Sequence, residues 1–321
     1  MRTNKLTFVQ RAIMPAKRSS KKPSRKTASR HTLTSLDPSF LLPSKDDLHL
    51  MIEDWVAEDV GLQDLTTNIM IPAKAKADFL MNTREDIVIS GIEVAAEVFR
   101  HIVPEAKVKT LIKDGVLAKK GTSLMRIAGP GRGLLTAERT SLNVLQFMCG
   151  IATLVREYAS KIDHTEAQLI DTRKTVPGMR MLSKYSACVG GCRPHRLGLH
   201  DGVMIKDNHI AVHGSITKAV AQARALTPTL TKIEVECDTL KQVEEAAKAG
   251  ADVIMFDNMS AALMKKGIEI IDGRARTEAS GGIRLDSIKE KAECGVDFIS
   301  VGRMTQSAPA VDIGLDVKIS E

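Results

Sequence analysis

The stretch of sequence between residues 171 and 209 is rich in side chains that are cationic or can become so. Five of them form a candidate set: Arg173, Lys174, His195, Arg196 and Lys206. One short apolar run, at 169–170, precedes the stretch and another, at 203–205, lies within it, and charged residues just past such runs are typical of strand ends, where α/β proteins place ligand sites. Arginine binds carboxylate or phosphate through paired donors, so this set suits a small ligand with several negative charges. The sequence predicts a binding site for a compact polyanion.

Acidic residues and glycines follow the later apolar runs in the same way. Glu236 and Asp257 end two successive runs, and the polar or glycine residues after the last two runs are Ser280, Gly281, Gly282 and Gly302. Two carboxylates on successive strands can hold Mg²⁺ through oxygen ligands and water. Glycine-rich turns that open onto helix N-termini expose backbone N–H groups suited to a phosphate. The predicted site is therefore half cationic and half acidic, which suits an anionic molecule beside a metal-bound, phosphorylated one.

The elements that must position these residues are repeated strand-then-helix units from residue 168 onward. The predicted strands are Leu169-Ile170, Val203–Ile205, Ile233–Val235, Val253–Phe256, Arg276–Ala279 and Phe298–Val301. Amphipathic helices such as Leu240–Ala249 and Leu285–Glu293 intervene, each followed by a glycine. Strands that recur about every 20–23 residues are typical of parallel β/α units, and five or six such units can curl into a barrel or partial barrel.

The region before these units has a mixed pattern. Ser44 is a plausible N-cap for a helix that ends at Gly61. From residue 77 to about 126, short apolar runs, turns and a helix near Val94–Ile102 indicate a small α+β domain. A long helix from Leu134 to about Tyr158 is expected to lead from it into the strand-and-helix units.

The net charge of +7 is concentrated at the N-terminus. Residues 1–36 contain five Arg and five Lys and no acid, so the rest of the chain is slightly acidic. This low-complexity segment is predicted to be disordered, and it is open to interpretation as a transit peptide, a nucleic-acid-binding arm or an unselected extension. Because its basic run at 16–26 has no aromatic for base stacking, we expect no nucleic-acid partner. We expect a cytoplasmic location, or an organellar one (mitochondrion or plastid) if residues 1–43 are a transit peptide.

Cysteine spacing argues against a zinc-binding protein, and hydropathy argues against a membrane-spanning one. The five cysteines are scattered, which fits a reducing compartment. Cys188 and Cys192 are not followed by a second pair at zinc-like spacing, so no zinc site is expected. The sequence contains no run of about 18 apolar residues, so we expect neither a membrane-spanning helix nor a membrane partner.

Several longer motifs resemble the quinolinate phosphoribosyltransferase family, also called nicotinate-nucleotide pyrophosphorylase (carboxylating). The motifs are Glu138–Asn143, Asp171–Thr175 with Pro177-Gly178, His195–Leu199, Ile205–Ile210, Glu234–Glu236, Met255–Met259, Ala279–Ile283 and Ile299–Gly302 with Ser307–Ala310. The resemblance runs from about Ser44 to the C-terminus. It implies an N-terminal α+β sandwich domain at 44–138, joined by 307–321, and an open β/α barrel at 139–306 that carries the active site. The basic disordered tail, residues 1–43, lies outside it.

The resemblance also implies roles for the candidate residues. Binders of the two carboxylates of quinolinate would be Arg173, His195, Arg196 and Lys206, while Lys174 would bridge toward phosphoribosyl pyrophosphate. Glu236 and Asp257 would lie near Mg²⁺, the ribose and the pyrophosphate. The 5′-phosphate would be held by Ser280, Gly281, Gly282 and Gly302. The predicted catalytic residues are Lys174, Lys206, Glu236 and Asp257.

The implied assembly is a homodimer in which Arg139 is donated across the interface, and a higher oligomer is left open. The implied reaction joins quinolinate to phosphoribosyl pyrophosphate and gives nicotinate mononucleotide, pyrophosphate and CO₂ in de novo NAD biosynthesis. The nearest alternative is a paralogous transferase associated with molybdate transport. A ligand without two carboxylates would not need the cationic set from Arg139 through Lys206, which disfavours that alternative.

Two positions depart from the family pattern. Cys192-Arg193-Pro194 precedes His195 where small or polar residues are expected, so Arg193 could add a further charge to the site. Gln306 stands where a histidine often occurs, which leaves the role of that position open. Neither departure removes a residue that the resemblance assigns to substrate binding.

Overall fold

One antiparallel and one parallel sheet organise the part of the chain that the computed structural model describes, residues 37–317. The helices are α1 (Lys45–Val60), α2 (Leu65–Met70), α3 (Ile92–Ile102), α4 (Gly131–Ile162), α5 (Arg180–Gly190), α6 (Asp207–His213), α7 (Ile216–Leu226), α8 (Leu240–Ala249), α9 (Ala261–Ile271), α10 (Ile288–Ala292) and α11 (Arg303–Gln306). The strands are β1 (Lys76–Thr83), β2 (Ile87–Val88), β3 (Lys107–Thr110), β4 (Leu117–Ala118), β5 (Ser123–Pro130), β6 (Gln168–Ile170), β7 (Val203–Ile205), β8 (Ile233–Cys237), β9 (Val253–Asp257), β10 (Arg276–Ser280), β11 (Phe298–Ser300) and β12 (Ile313–Val317).

The antiparallel sheet has four strands in the order β12-β1-β5-β3. In β1 the side chains of Phe79, Met81 and Thr83 are buried in alternation, as expected for a strand with one face on the core. The apolar side of α3 belongs to the same core as these strands. The last strand, β12, pairs with β1 from Val317 opposite Phe79 to Ile313 opposite Thr83, so the C-terminal segment completes this sheet.

The parallel sheet has six strands in the order β6-β11-β10-β9-β8-β7. Within the described residues β6 and β7 are the two edges and do not pair with each other, so the barrel is open. A single bridge between Ile170 and Arg193 extends the β6 edge. Because all six strands run in one direction, their carboxyl ends lie on one side of the sheet, where such folds bind ligands.

The long helix α4 joins the two cores. Its first half contributes Leu134 and Leu142 to the core of the antiparallel domain, whereas Val155 and Ile162 in its second half pack under the parallel sheet. The predicted domain boundary at residue 138 therefore falls inside one continuous helix. Among residues 37–317 no helix, α4 included, is long and apolar enough to cross a membrane.

Local sequence signals account for several helix ends. The Ser44 hydroxyl accepts from the Asp47 N–H at 3.1 Å and starts α1 where the sequence predicted it. Gly250 ends α8 with a left-handed φ of 81°, a conformation that glycine adopts without steric cost. The predicted helix Leu285–Glu293 is shorter, at Ile288–Ala292, because residues before it form a turn in which the Arg284 N–H donates to the Ser287 hydroxyl at 3.0 Å.

The N-terminal prediction falls mainly outside the described residues, since residues 1–36 are not among them. Residues 38–41 form a 3-10 turn, and the Leu41 side chain is fully buried against the core that contains Leu48 and Ile52. The folded part of the chain thus begins before residue 44.

Candidate active site

A cavity of about 760 Å³ opens at the carboxyl ends of the parallel strands. The candidate residues that line it are Arg173, Lys174, His195, Arg196, Lys206, Glu236, Asp257, Ser280, Gly281, Gly282 and Gly302. They come from the ends of all six strands and from the loop after α5. The fold therefore brings together every predicted site residue except Arg139.

Two guanidinium groups at one end of the cavity lack strong partners. The Nε atom of Arg173 is buried and has no hydrogen-bond partner among the described residues. Within residues 37–317 the Arg196 guanidinium donates only to the Gly202 carbonyl and the Met204 sulfur, each at 3.5 Å. Burial lowers the pKa of Arg196, and the neighbouring positive charge of Arg173 lowers it further. Two close, poorly satisfied cations are an arrangement that an anion with several oxygens would stabilise.

His195 is held by two buried carboxylates that come from strands of the barrel. Its Nε2 lies 3.0 Å from Glu234 on β8 and 3.5 Å from Glu278 on β10, and its Nδ1 lies 2.8 Å from the Arg196 N–H. Burial lowers the pKa of His195, but the hydrogen bonds to Glu234 and Glu278 outweigh it and raise the pKa to about 10. Burial and the charge of Glu234 raise the pKa of Glu278 to about 7.

Sequence reasoning missed this pair of acids. Glu234 entered only as part of a motif and Glu278 not at all. The available signal was a glutamate in the interior of each of two short strands, at positions that the sheet buries: Glu234 is 6% exposed and Glu278 is 1% exposed. A charge buried to this degree needs a partner, and His195 supplies it.

The acidic residues predicted to hold Mg²⁺ lie on the adjacent strands β8 and β9. Glu236 forms an ion pair with Lys206, and its side chain is 11% exposed. Asp257 accepts a hydrogen bond from the Asn258 amide at 2.7 Å and forms no ion pair within residues 37–317. One of the two carboxylates is thus already compensated by a cation, and the other faces the cavity without one.

The glycines that line the cavity allow close approaches. At Gly281 the φ is +87°, and an added Cβ would lie 2.3 Å from the Asn258 side-chain oxygen. At Gly302 an added Cβ would lie 2.7 Å from Cδ of Lys174, so the lysine stem lies directly against this turn. Gly302 leads directly into α11, as predicted. The expectation that Gly281-Gly282 also opens onto a helix is wrong, because the turn at residues 283–287 separates it from α10.

Arg139 and Arg193 both lie outside the cavity of their own chain. Arg139 is exposed on α4. The Arg193 guanidinium donates to the Gln168 side chain at 2.7 Å, and Gln168 is at the start of β6. The expectation that Arg193 adds charge to the site is therefore wrong. Gln306 does line the cavity, beside Ser307.

A fully buried ion pair lies beneath the cationic end. Lys184 Nζ on α5 is 2.5 Å from Asp171 Oδ1, and both side chains are 0% exposed. Burial raises the pKa of Asp171, and Lys184 opposes that shift. In the sequence Asp171 is the first residue of the motif Asp171–Thr175, directly after the apolar run 169–170, but nothing there indicated its partner.

Comparisons with known proteins agree with this geometry. The sequence matches the family described as quinolinate phosphoribosyl transferase, N-terminal domain, over residues 64–149, and its C-terminal domain over residues 151–316. It is 39% identical to the probable nicotinate-nucleotide pyrophosphorylase (carboxylating) of Bacillus subtilis, covering 85% of this chain and 94% of that one.

A plant relative and a solved structure extend the match. The chain is 37% identical to the chloroplastic nicotinate-nucleotide pyrophosphorylase (carboxylating) of rice, Oryza sativa, over 84% of this chain and 78% of that one. The crystal structure of NadC from Streptococcus pyogenes superposes with a TM-score of 0.82 at 37% identity, covering 86% of this chain and 99% of that one.

Proposed function

Because this chain belongs to the quinolinate phosphoribosyltransferase family, we propose that its cavity joins quinolinate to phosphoribosyl pyrophosphate. The products are nicotinate mononucleotide, pyrophosphate and CO₂, in the de novo biosynthesis of NAD. The observation that carries the proposal is the pair of poorly satisfied guanidiniums, Arg173 and Arg196, in a cavity that is also lined by the glycine turn Gly281-Gly282. The paired guanidiniums fit a dicarboxylate, and the backbone N–H groups of the turn fit a phosphate.

The chemistry follows from where charge develops. Departure of pyrophosphate builds positive charge on the anomeric carbon of the ribose, which the carboxylates of Glu236 and Asp257 can stabilise. Arg173 and Arg196 hold the diacid so that its ring nitrogen faces that carbon, which lowers the barrier by proximity. Lys174, whose stem lies against Gly302, spans the two substrate regions.

Decarboxylation needs no protein nucleophile. When CO₂ leaves, the electron pair of the broken C–C bond stays on the ring carbon next to the positively charged ring nitrogen, and that carbon then takes up a proton from water. Cationic contacts from the arginines and from Lys206 contribute orientation and field.

The residues present fit a Mg²⁺ ion. Magnesium is bound in such enzymes through one or two carboxylates together with substrate phosphates and water, and Glu236 and Asp257 supply two carboxylates on adjacent strands. The ion, when bound, would offset negative charge on the leaving pyrophosphate. Asp257 is the stronger candidate ligand because Glu236 is already paired with Lys206.

A homodimer belongs to the same proposal. Arg139 is exposed and outside its own cavity, and we infer that it enters the cavity of a second copy. A residue supplied in trans would complete the cationic end only after assembly.

The compartment is also part of the proposal. We place the enzyme in the cytoplasm, with an organelle as the alternative if residues 1–43 direct import. A fusion of residues 1–43 to a fluorescent protein, imaged in the source cells, separates the two: organellar fluorescence would select the alternative.

The direct test is product release from the purified protein. With phosphoribosyl pyrophosphate, Mg²⁺ and quinolinate, both pyrophosphate and CO₂ should appear in equal amounts. Nicotinate is the matched control because it lacks the 2-carboxylate, and it should give neither product. Folded protein without turnover on quinolinate would contradict the proposal and favour the paralogous transferase.

A further inference from the structure

The segment that carries His195 and Arg196 has no regular secondary structure. Residues 194–202 form neither helix nor strand, so no backbone ladder fixes their positions. The Leu197 and Gly198 N–H groups donate to Asp201, which closes only the distal part of the loop. The proximal part, from which Arg196 reaches the cavity, is held from outside the loop: Glu234 and Glu278 hold the His195 ring, and a second set of contacts holds the His195 backbone.

The buried Asp171–Lys184 pair makes that connection. Asp171 Oδ1 accepts both from Lys184 Nζ at 2.5 Å and from the His195 N–H at 2.8 Å. Lys184 Nζ also donates to the His195 carbonyl at 3.4 Å. The pair thus binds both backbone polar groups of the residue that immediately precedes Arg196.

We propose that Asp171 and Lys184 form a positioning unit for quinolinate binding, which fixes the His195 backbone so that Arg196 is presented to the diacid. The inference rests on the proposed function and assigns two residues that do not themselves bind the substrate. Asp171 is on the floor of the cavity at the end of β6, and Lys184 approaches it from α5, so a strand and a helix of the scaffold together determine the loop position.

Stability alone is a poor reason to bury such a pair. The desolvation cost of two buried charges offsets much of their attraction, and replacing both with apolar residues of similar volume is often neutral for stability. Removing only one partner leaves an unpaired buried charge and is strongly destabilising. The positioning role is therefore tested by changing both residues together.

The decisive variant is Asp171→Leu/Lys184→Met, which removes the charges and both bonds to His195 without leaving an unpaired charge. Calorimetric titration of the dimeric enzyme with quinolinate, and KM for each substrate, are compared with the wild type. We expect quinolinate affinity to weaken at least tenfold, on the order of the loss of one well-placed charged contact. KM for phosphoribosyl pyrophosphate should change little, because most of its proposed contacts are on other strands and the Lys174 backbone is held separately, by Thr172 and Thr305.

A conservative variant provides the rescue. Asp171→Asn/Lys184→Met removes the ion pair but retains a carbonyl that accepts from the His195 N–H, so of the two bonds to His195 it loses only the one to the carbonyl. Its quinolinate affinity should lie between those of the wild type and the apolar pair. If Asp171→Leu/Lys184→Met does not fold, the conservative variant decides the question. Weaker binding of quinolinate alone would then support the proposal, and wild-type quinolinate affinity would overturn it.

The matched control is Tyr185→Phe, at the next position of α5. The Tyr185 hydroxyl donates to Asp114 at 2.7 Å, in the antiparallel domain and away from the cavity. This variant should lower the melting temperature and leave quinolinate affinity unchanged. The positioning role would be overturned if Asp171→Leu/Lys184→Met weakened the binding of both substrates equally. It would also be overturned if Tyr185→Phe lost as much quinolinate affinity as that double variant. Wild-type protein that does not bind quinolinate would instead refute the proposed function.

Discussion

Replacement of Arg196 by alanine is the sharpest test of the cationic end of the cavity. In the structure the Arg196 guanidinium has only two long contacts, at 3.5 Å, so the fold gains little from it. We therefore expect the melting temperature of Arg196→Ala to be close to that of the wild type. Burial lowers the pKa of Arg196 most and the positive charge of Arg173 lowers it further, and this repulsion between the two arginines is relieved in the variant.

The loss should appear in quinolinate binding. A charge-assisted, paired contact with a carboxylate contributes ~1.5–3 kcal/mol. That range corresponds to a roughly 10- to 150-fold weaker Kd for quinolinate. Calorimetric titration gives this Kd directly, and a parallel titration with phosphoribosyl pyrophosphate shows whether the effect is specific to the diacid.

Arg193→Ala is the matched control for this experiment. Arg193 is three positions earlier in the chain and carries the same charge, but its guanidinium binds Gln168 outside the cavity. Its removal should leave quinolinate affinity unchanged. Quinolinate affinity that survives Arg196→Ala, or that falls equally in Arg193→Ala, would refute the assignment of Arg196.

Three further predictions concern the dimer, the metal and pH. Mixing inactive Arg139→Ala with inactive Lys206→Ala protein should restore about a quarter of wild-type activity, because half of the dimers would then contain one intact site; confirmed subunit exchange without recovery would contradict a shared site. Asp257→Asn should raise the Mg²⁺ concentration needed for half-maximal activity, measured by titration at saturating substrates, and an unchanged requirement would exclude Asp257 as a ligand. Because the pKa of Glu278 is raised to about 7 from 4.5, the folded state holds more protons than the unfolded state between these values, so stability from this group falls as pH rises through them. Urea unfolding of Glu278→Gln should accordingly show a smaller decrease in free energy of unfolding from pH 5 to pH 8 than the wild type, and an equal decrease would contradict the buried-acid explanation.

The parallel strands were predictable because their signal is local. The strands β7 and β9 are nearly continuous apolar runs, so β7 was predicted with its observed bounds and β9 within one residue. The strands β8 and β10 contain polar residues, and they were predicted within two residues from the regular spacing of the strand-and-helix units. The convergence of Lys206, Glu236 and Asp257 then followed from the geometry of parallel strands alone. The family match rests on the same strand-end motifs.

What the sequence could not supply depends on contacts between distant residues. Helix α5 was not predicted because its buried side includes Ser183, Lys184 and Ser186, which interrupt the apolar period. Helix α6 has no buried residue and so no apolar face to detect. The partner of Asp171 and the two acids around His195 become visible only once the strands and α5 are assembled.

The pairing of β12 with β1 has a consequence for synthesis of the chain. A ribosome completes β1, β3 and β5 long before residues 313–317 emerge. Until then the outer edge of β1 presents free backbone donors and acceptors, which are a template for pairing with another chain. The nascent antiparallel domain is thus exposed to aggregation throughout translation of the barrel, and loss of only the last strand would make that exposure permanent.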